Sequence, residues 1–308
     1  MRQYSYDGAV MKVRTARAVG RLLIPALLVI AAGCSKGDSA APVATVSFTT
    51  NKTRIPLGSP IELTYRFDVA PGAKIDGDYK VFVHVVRDDG VAMWNDDHDP
   101  PIPTSQWKPG QPIQYTRTRF VPVFPFLGEA AVEIGLYRDQ ERLPLQASDP
   151  AKSESTNRAY RVGTLQLLPS SENVFIMFRS GWHPIEFAPD EPTLTWQWTQ
   201  KQAVFSFKNP KKAVTLYMEF DARGDLFPDK KQSVTVSSGD QPIATFEASS
   251  SLKTLQQIPI TAAQLGGNDV AEIRIDVDKT FVPAKLPGGG RDARELGIRV
   301  YHTFIEVR

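Results

Sequence analysis

Ile61-Glu62-Leu63-Thr64-Tyr65-Arg66-Phe67-Asp68-Val69 alternates between apolar and polar side chains along its whole length. A period of two places successive side chains on opposite faces, so this stretch reads as a strand with one buried face. Working outward, Val81, Val83 and Val85 repeat the pattern, and Val132, Ile134 and Leu136 do so against Ala131, Glu133 and Gly135. Turn signals part these runs at Pro71-Gly72, Asp89-Gly90, Pro109-Gly110 and Leu127-Gly128. The second half continues in the same way. Leu194, Trp196 and Trp198 alternate, as do Val214, Leu216, Met218 and Phe220, then Ile273, Ile275 and Val277, with Val300 and Phe304 closing the chain.

Many short alternating strands with frequent turns and 24 prolines predict an all-β protein. The expectation is two consecutive β-sandwich domains, immunoglobulin-like or jelly-roll-like, over residues 43–168 and 174–308. The polar stretch Ser148 to Asn157 reads as a loop. Pro169 to Asn173 reads as the boundary, and a short helix is expected at Thr261 to Leu265.

The N-terminus reads differently. Leu22 to Gly33, LLIPALLVIAAG, is apolar but too short for a membrane helix, which needs about 20 residues. Lys12, Arg14, Arg17 and Arg21 precede it, and Ala31, Ala32 and Gly33 lead into Cys34. This is the layout of a secretory signal, and it resembles a bacterial lipobox. It departs from that pattern in having Ala31 where a larger aliphatic residue is usual, with Ile30 one position early. Residues 1–33 are expected to be a signal peptide, with Met11 a better start than Met1. Residues 34–42 form a tether lipidated at Cys34, which is the chain's one cysteine, so no internal disulfide can form. The other reading is an ordinary signal cleaved near Ala32, which leaves Cys34 a free thiol. Ser35 resembles the residue that follows the lipidated cysteine in outer-membrane lipoproteins. The expected partner is therefore a membrane, reached through a lipid anchor.

A formal net charge of +2 creates no field that selects nucleic acid or an acidic partner. Two segments are candidates for chemistry. Asp96, Asp97, His98 and Asp99 stand side by side before Pro100-Pro101. Their spacing fits neither a calcium loop nor a zinc site, so the favoured reading is an Asp-rich turn with no metal. The second segment is Gly181-Trp182-His183-Pro184-Ile185-Glu186, followed by Trp196 and Trp198. Aromatic faces stack on sugar rings, and a carboxylate or an imidazole bonds hydroxyls. Trp182, His183 and Glu186, with Arg291 and Arg294, are thus candidate ligand-binding residues. The competing reading has Trp182 plugging the sandwich and Glu186 paired with Arg291 or Arg294. Gly288-Gly289-Gly290 lacks the following Lys-Ser/Thr of a phosphate loop. No nucleophile motif is present, so no catalytic residue and no cofactor are assigned. A carboxylate pair for sugar hydrolysis needs coordinates to be found.

Several segments together resemble a family. In the first half these are Val83-His84-Val85, Gln106-Trp107-Lys108-Pro109-Gly110, Gly135-Leu136-Tyr137 and Glu141-Arg142-Leu143-Pro144-Leu145, with the Asp-rich turn between. They resemble the β-sandwich accessory domain of bacterial membrane glycosyltransferase and glycan-assembly proteins. Ser180 to Glu186, Phe281-Val282-Pro283-Ala284 and Arg294-Glu295-Leu296-Gly297-Ile298 are similar to a sandwich domain of envelope-polysaccharide proteins. The resemblance implies an extracytoplasmic, sugar-related setting and supplies no catalytic residue. A lipid anchor stands where such proteins carry a transmembrane catalytic part. The expectation is a non-catalytic cell-envelope lipoprotein, placed at the outer membrane, that binds or helps handle a surface glycan. The alternative is a protein-interaction scaffold for a membrane glycan-assembly machine.

Overall fold

The computed structural model describes residues 40–124, 126–149, 154–248, 253–288 and 290–308. The expected signal peptide, Cys34 and Gly289 lie outside the described residues, as does most of the expected tether. Residues Ala40–Arg308 form one compact unit.

The first half contains β1 (Ala44–Thr50), β2 (Arg54–Pro56), β3 (Pro60–Val69), β4 (Lys80–Val86), β5 (Ala92–Asn95) and β6 (Pro112–Phe120). It continues with β7 (Gly128–Arg138), β8 (Glu141–Leu143), β9 (Leu145–Ala147), β10 (Glu154–Thr156) and β11 (Ala159–Leu168). One sheet has the order β6-β3-β1-β9, and the other runs β10-β11-β7-β4-β5, with β2 on β11 and β8 on β7. The alternation in β3 is realised: Ile61, Leu63, Tyr65, Phe67 and Val69 are buried, while Arg66 is exposed. They share one apolar cluster with Val81, Val83 and Val85 of β4 and Val132, Ile134 and Leu136 of β7. The hydrophobic effect therefore clamps the two sheets face to face.

The remaining strands are β12 (Ile176–Phe178), β13 (Glu186–Ala188), β14 (Glu191–Trp198), β15 (Gln202–Lys208) and β16 (Val214–Asp221). After these come β17 (Gln232–Ser238), β18 (Gln241–Ala248), β19 (Thr254–Ile260), β20 (Val270–Val277) and β21 (Arg299–Val307). They form sheets of order β12-β15-β20-β17-β18 and β13-β14-β21-β16-β19. Phe205, Phe207, Ile273 and Ile275 meet Leu216, Met218, Phe220 and Ile305 in a second core. The fold is all-β, built from packed sheets that are antiparallel except where β1 meets β9 and β2 meets β11.

Three details differ from the sequence reading or refine it. The stretch read as a loop holds β10, which turns back into β11 through Asn157 and Arg158 at φ 49° and 58°. Two successive left-handed residues match the strand twist of a tight hairpin, and Asn157 is the residue suited to start it. Phe304 is not in the core. It lies half-buried beside Tyr217 on the outer face, ring centres 6.3 Å apart, while Val300 and Ile305 face inward. Two inward residues an odd number apart require a bulge. The pairing supplies it, since Phe220 opposes Val300 and Glu219 opposes His302, leaving Tyr301 extra. The helix α1 spans Ala262–Leu265, capped reciprocally by Thr261 and Gln264.

The two sandwiches touch through a few polar and aromatic contacts. Lys52 Nζ lies 2.9 Å from Glu306 Oε1, and Asn173 Nδ2 donates to the Leu57 carbonyl at 2.8 Å. The Phe120 and His302 rings stack with centres 4.3 Å apart.

Candidate functional site: an aromatic cleft beside β21

The Trp182 loop is set by Gly181. Its φ is +78°, and a Cβ there would fall 1.8 Å from the Gln202 carbonyl oxygen, so only glycine fits. Trp182 is half-buried against the second core, and its Nε1 donates to the Val204 carbonyl at 2.8 Å. The ring meets Phe178 edge-on at 4.7 Å. His183 is buried and spends its imidazole on the fold, with Nε2 donating to the Glu295 carbonyl at 2.8 Å. Glu186 accepts from Trp196 Nε1 at 3.1 Å and from Arg294 Nη1 at 2.6 Å. Arg294 also grips Asp292, and that ion pair holds the Asp292 carboxyl at about 2. The structure thus joins Glu186 and Arg294, as one sequence reading had it. Arg291 is exposed and outside this network.

A cleft of about 230 Å³ opens beside this network, walled by Phe178, Trp182, Ile185, Trp196, Tyr301 and His302. Strand pairing explains it. Among the described residues β14 pairs with β21 only at Gln197↔Val300 and Trp198↔Arg299. The bulge at Tyr301 then breaks the register and turns the Tyr301 ring into the gap. Arg299 packs against two of the walls, its guanidinium 5.1 Å from the Trp196 ring centre and 5.2 Å from that of Tyr301. Such cation–π contacts fix ring orientation as well as adding energy. Beneath them Asp221, with its side chain 2% exposed, accepts from Arg299 Nε at 3.0 Å and from the Tyr301 hydroxyl at 2.7 Å. Burial first, then the Asp221 hydrogen bond, push the Tyr301 phenol well above its ordinary range.

At the outer end of the cleft His302 Nδ1 donates to Glu219 Oε2 at 2.8 Å. Burial pushes Glu219 up. The His302 hydrogen bond and the charges of His302, Lys253 and Arg119 outweigh it and hold the carboxyl below its usual value. Lys253 Nζ sits 4.5 Å from the Tyr301 ring centre. The cleft therefore presents aromatic faces next to amide, hydroxyl and charged groups held in fixed directions. Trp196 and Trp182 were legible in the sequence. Tyr301, Arg299 and Asp221 were missed, and the one available signal was the odd spacing of Val300 and Ile305.

The Asp-rich segment is arranged otherwise. Asp96 is buried and accepts from Tyr65 Oη at 3.0 Å, Arg117 Nε at 2.9 Å and Arg119 Nε at 2.5 Å. His98 is buried too, with Nδ1 donating to the Asp96 carbonyl at 2.5 Å and Nε2 accepting from the Tyr115 hydroxyl at 2.7 Å. Asp97 accepts from the Val83 amide at 3.1 Å, and Asp99 is exposed beside Lys80. Asp96 and His98 lie together, with Oδ2 3.7 Å from Nδ1, while Asp97 and Asp99 turn to other partners, and among the described residues no group of three ligating side chains converges. Arg142 lies away from this segment, where it donates to the Asn157 carbonyl at 2.8 Å and covers Phe82. The arginines that do pair with Asp96 come from β6 in the facing sheet, a neighbourhood set by topology.

No family model and no curated protein matches this chain. Among solved structures it is similar to a family GH115 4-O-methyl-α-glucuronidase with specificity for decorated arabinogalactans. That match has 14% identity over 49% of this chain and 20% of the other, with a TM-score of 0.30. The CBM51-2 and INT domains of Clostridium perfringens ZmpB match at 8% identity over 59% of this chain and 38% of theirs, TM-score 0.23. A Bacteroides uniformis β-glucuronidase matches at 11% identity over 81% of this chain and 28% of its own, TM-score 0.25. The chain spans well under half of each neighbour's length, and likenesses this slight carry no argument about its activity.

Proposed function

We propose that this chain is a non-catalytic envelope lipoprotein, anchored through Cys34, whose cleft at β14 and β21 binds a glycan. The observation that carries the reading is the cleft wall: Trp182, Trp196 and Tyr301 offer ring faces, with Thr195, Gln197 and His302 beside them. Apolar ring faces stack on the C–H faces of sugars, and the flanking polar groups bond hydroxyls. The nearby carboxylates Glu186, Asp221, Asp292 and Glu219 are each engaged by an arginine or a histidine. That pairing suits a rigid recognition surface better than proton transfer. The test uses the full chain in mild detergent on an array of bacterial capsule, O-chain and peptidoglycan fragments. Wild type binds, Trp196→Ala does not, and the variant keeps its unfolding temperature. Absence of binding by wild type overturns the reading. Labelled palmitate entering wild type but not Cys34→Ser tests the anchor separately.

A second reading is favoured by one observation. Phe175, Phe178, Ile185 and Phe187 are 77%, 44%, 64% and 63% exposed, on or beside the edge strands β12 and β13. Exposed aromatics on sheet edges suit docking to a protein of a glycan-assembly machine. Crosslinking in cells from position 187 that recovers a membrane protein would support it, and recovery of lipid alone would count against it.

A further inference from the structure

The cleft does not stop at His302. A second cleft of about 460 Å³ lies where the two sandwiches meet, with Leu57, Val123, Asn173, Phe175, Thr303 and Phe304 in its wall. Thr303 lines both clefts. On the facing side Phe178 lines the first and Ile176 the second, two residues apart on one face of β12. The two hollows therefore adjoin along β21, so that a ligand crossing Thr303 would occupy both. From Val300 to Phe304 that path runs roughly 13 Å at strand rise, longer than a single pyranose ring. Ligand pockets usually occupy about 300 to 1,000 Å³. At about 230 Å³ the first cleft falls short of that range, and joined to the second it falls inside.

The path also leaves hydrogen-bonding capacity unused. Beyond Val300, β21 pairs only with β16 among the described residues, so its other edge carries no strand. The backbone amides and carbonyls on that edge have no strand to pair with, and a ligand rich in hydroxyls can bond them. An added peptide strand would use the same edge, but the Tyr301 bulge breaks the regular register that strand addition needs.

Resting on the glycan reading above, we infer that the occupant is a linear glycan segment of several sugar units. It starts on Trp196 and Tyr301, passes Thr303 and ends in the cleft between the sandwiches.

The experiment uses the full chain in mild detergent and the same three fragment classes, printed in size-graded sets from one to six sugar units. Half-saturation should tighten by about tenfold or more from one unit to four. Val123 is 71% exposed, so Val123→Trp fills the second cleft without touching the core. It should keep one-unit binding and lose the gain with length. Equal binding at every length, or an undiminished gain in Val123→Trp, overturns the inference and leaves the glycan reading standing. No binding at any length removes both. If an alternating Thr-Val octapeptide, and no glycan, protects the β21 amides from hydrogen exchange, the edge belongs to strand addition and the inference fails.

Discussion

Asp96 is one carboxylate facing two guanidiniums and a phenol across the first sandwich. Its side chain is 4% exposed, while those of Arg117 and Arg119 are 24% and 38% exposed. Removing one member of a buried ionic group leaves the rest uncompensated, at a cost of about 3–5 kcal/mol. Both arginines reach solvent, so Asp96→Ala should fall at the lower end, about 3 kcal/mol, in urea unfolding. Asp99 is 78% exposed beside Lys80, and Asp99→Ala should change stability by no more than about 0.5 kcal/mol. Equal effects of the two substitutions would refute this division. The sequence marks all four residues from Asp96 to Asp99 alike. It does not reveal which is buried, because the pairing arginines come from a strand whose place is set by sheet order. Trp182 shows the same limit: its loop was legible from Gly181, yet the ring's share between core and cleft depends on Val204 and Phe178.

Strands with one wet face were the easiest to read. In β3 and β20 the period of two survives from sequence to burial, whereas β7 buries Ala131 and Gly135 on its second face as well. β16 was read for one face only, and both proved covered, with Thr215 and Tyr217 buried as well as Leu216 and Met218. The extra cover includes Phe304 and Glu306, whose carboxylate accepts from the Tyr217 hydroxyl at 2.9 Å. Burial, then that bond, push the Tyr217 phenol up to about 12. The bulge in β21 left one trace, the odd spacing of Val300 and Ile305, which no local residue type reinforces, and the cleft went unread with it. The short helix was legible because Thr261 and Gln264 form a local capping pair. Thr261→Ala removes the side chain that accepts from the Gln264 amide and should cost about 1 kcal/mol in thermal unfolding. No change would mean that the helix is held by packing of Leu265 alone.

Across the whole molecule the two sandwiches meet through groups that respond to acid. Burial pushes Glu306 up. Its bonds to Lys52 and Tyr217 and the charges of Lys52 and Arg308 outweigh it and hold the carboxyl below the ordinary 4.5. A carboxyl that binds its proton less readily in the folded state favours folding most when ionised. Its contribution is complete above about pH 5 and is lost as pH falls through the lowered folded value. Wild type should therefore lose more stability than Glu306→Gln between pH 6 and pH 3, read as the change in unfolding temperature. Parallel pH curves would rule out that role. The pairing of β1 and β2 has a further consequence, one of time. Ala44 lies against Leu145 and Ile55 against Leu167, both in parallel register. Non-local parallel pairings form slowly, because loop closure must precede any reward. A chain ended after Leu143 should exchange its β3 amides as an unfolded chain does, while one extended to Leu168 should protect them. The first strands to be made are thus among the last to be completed, and until β11 arrives the apolar face of β3 is an exposed surface that other chains can reach.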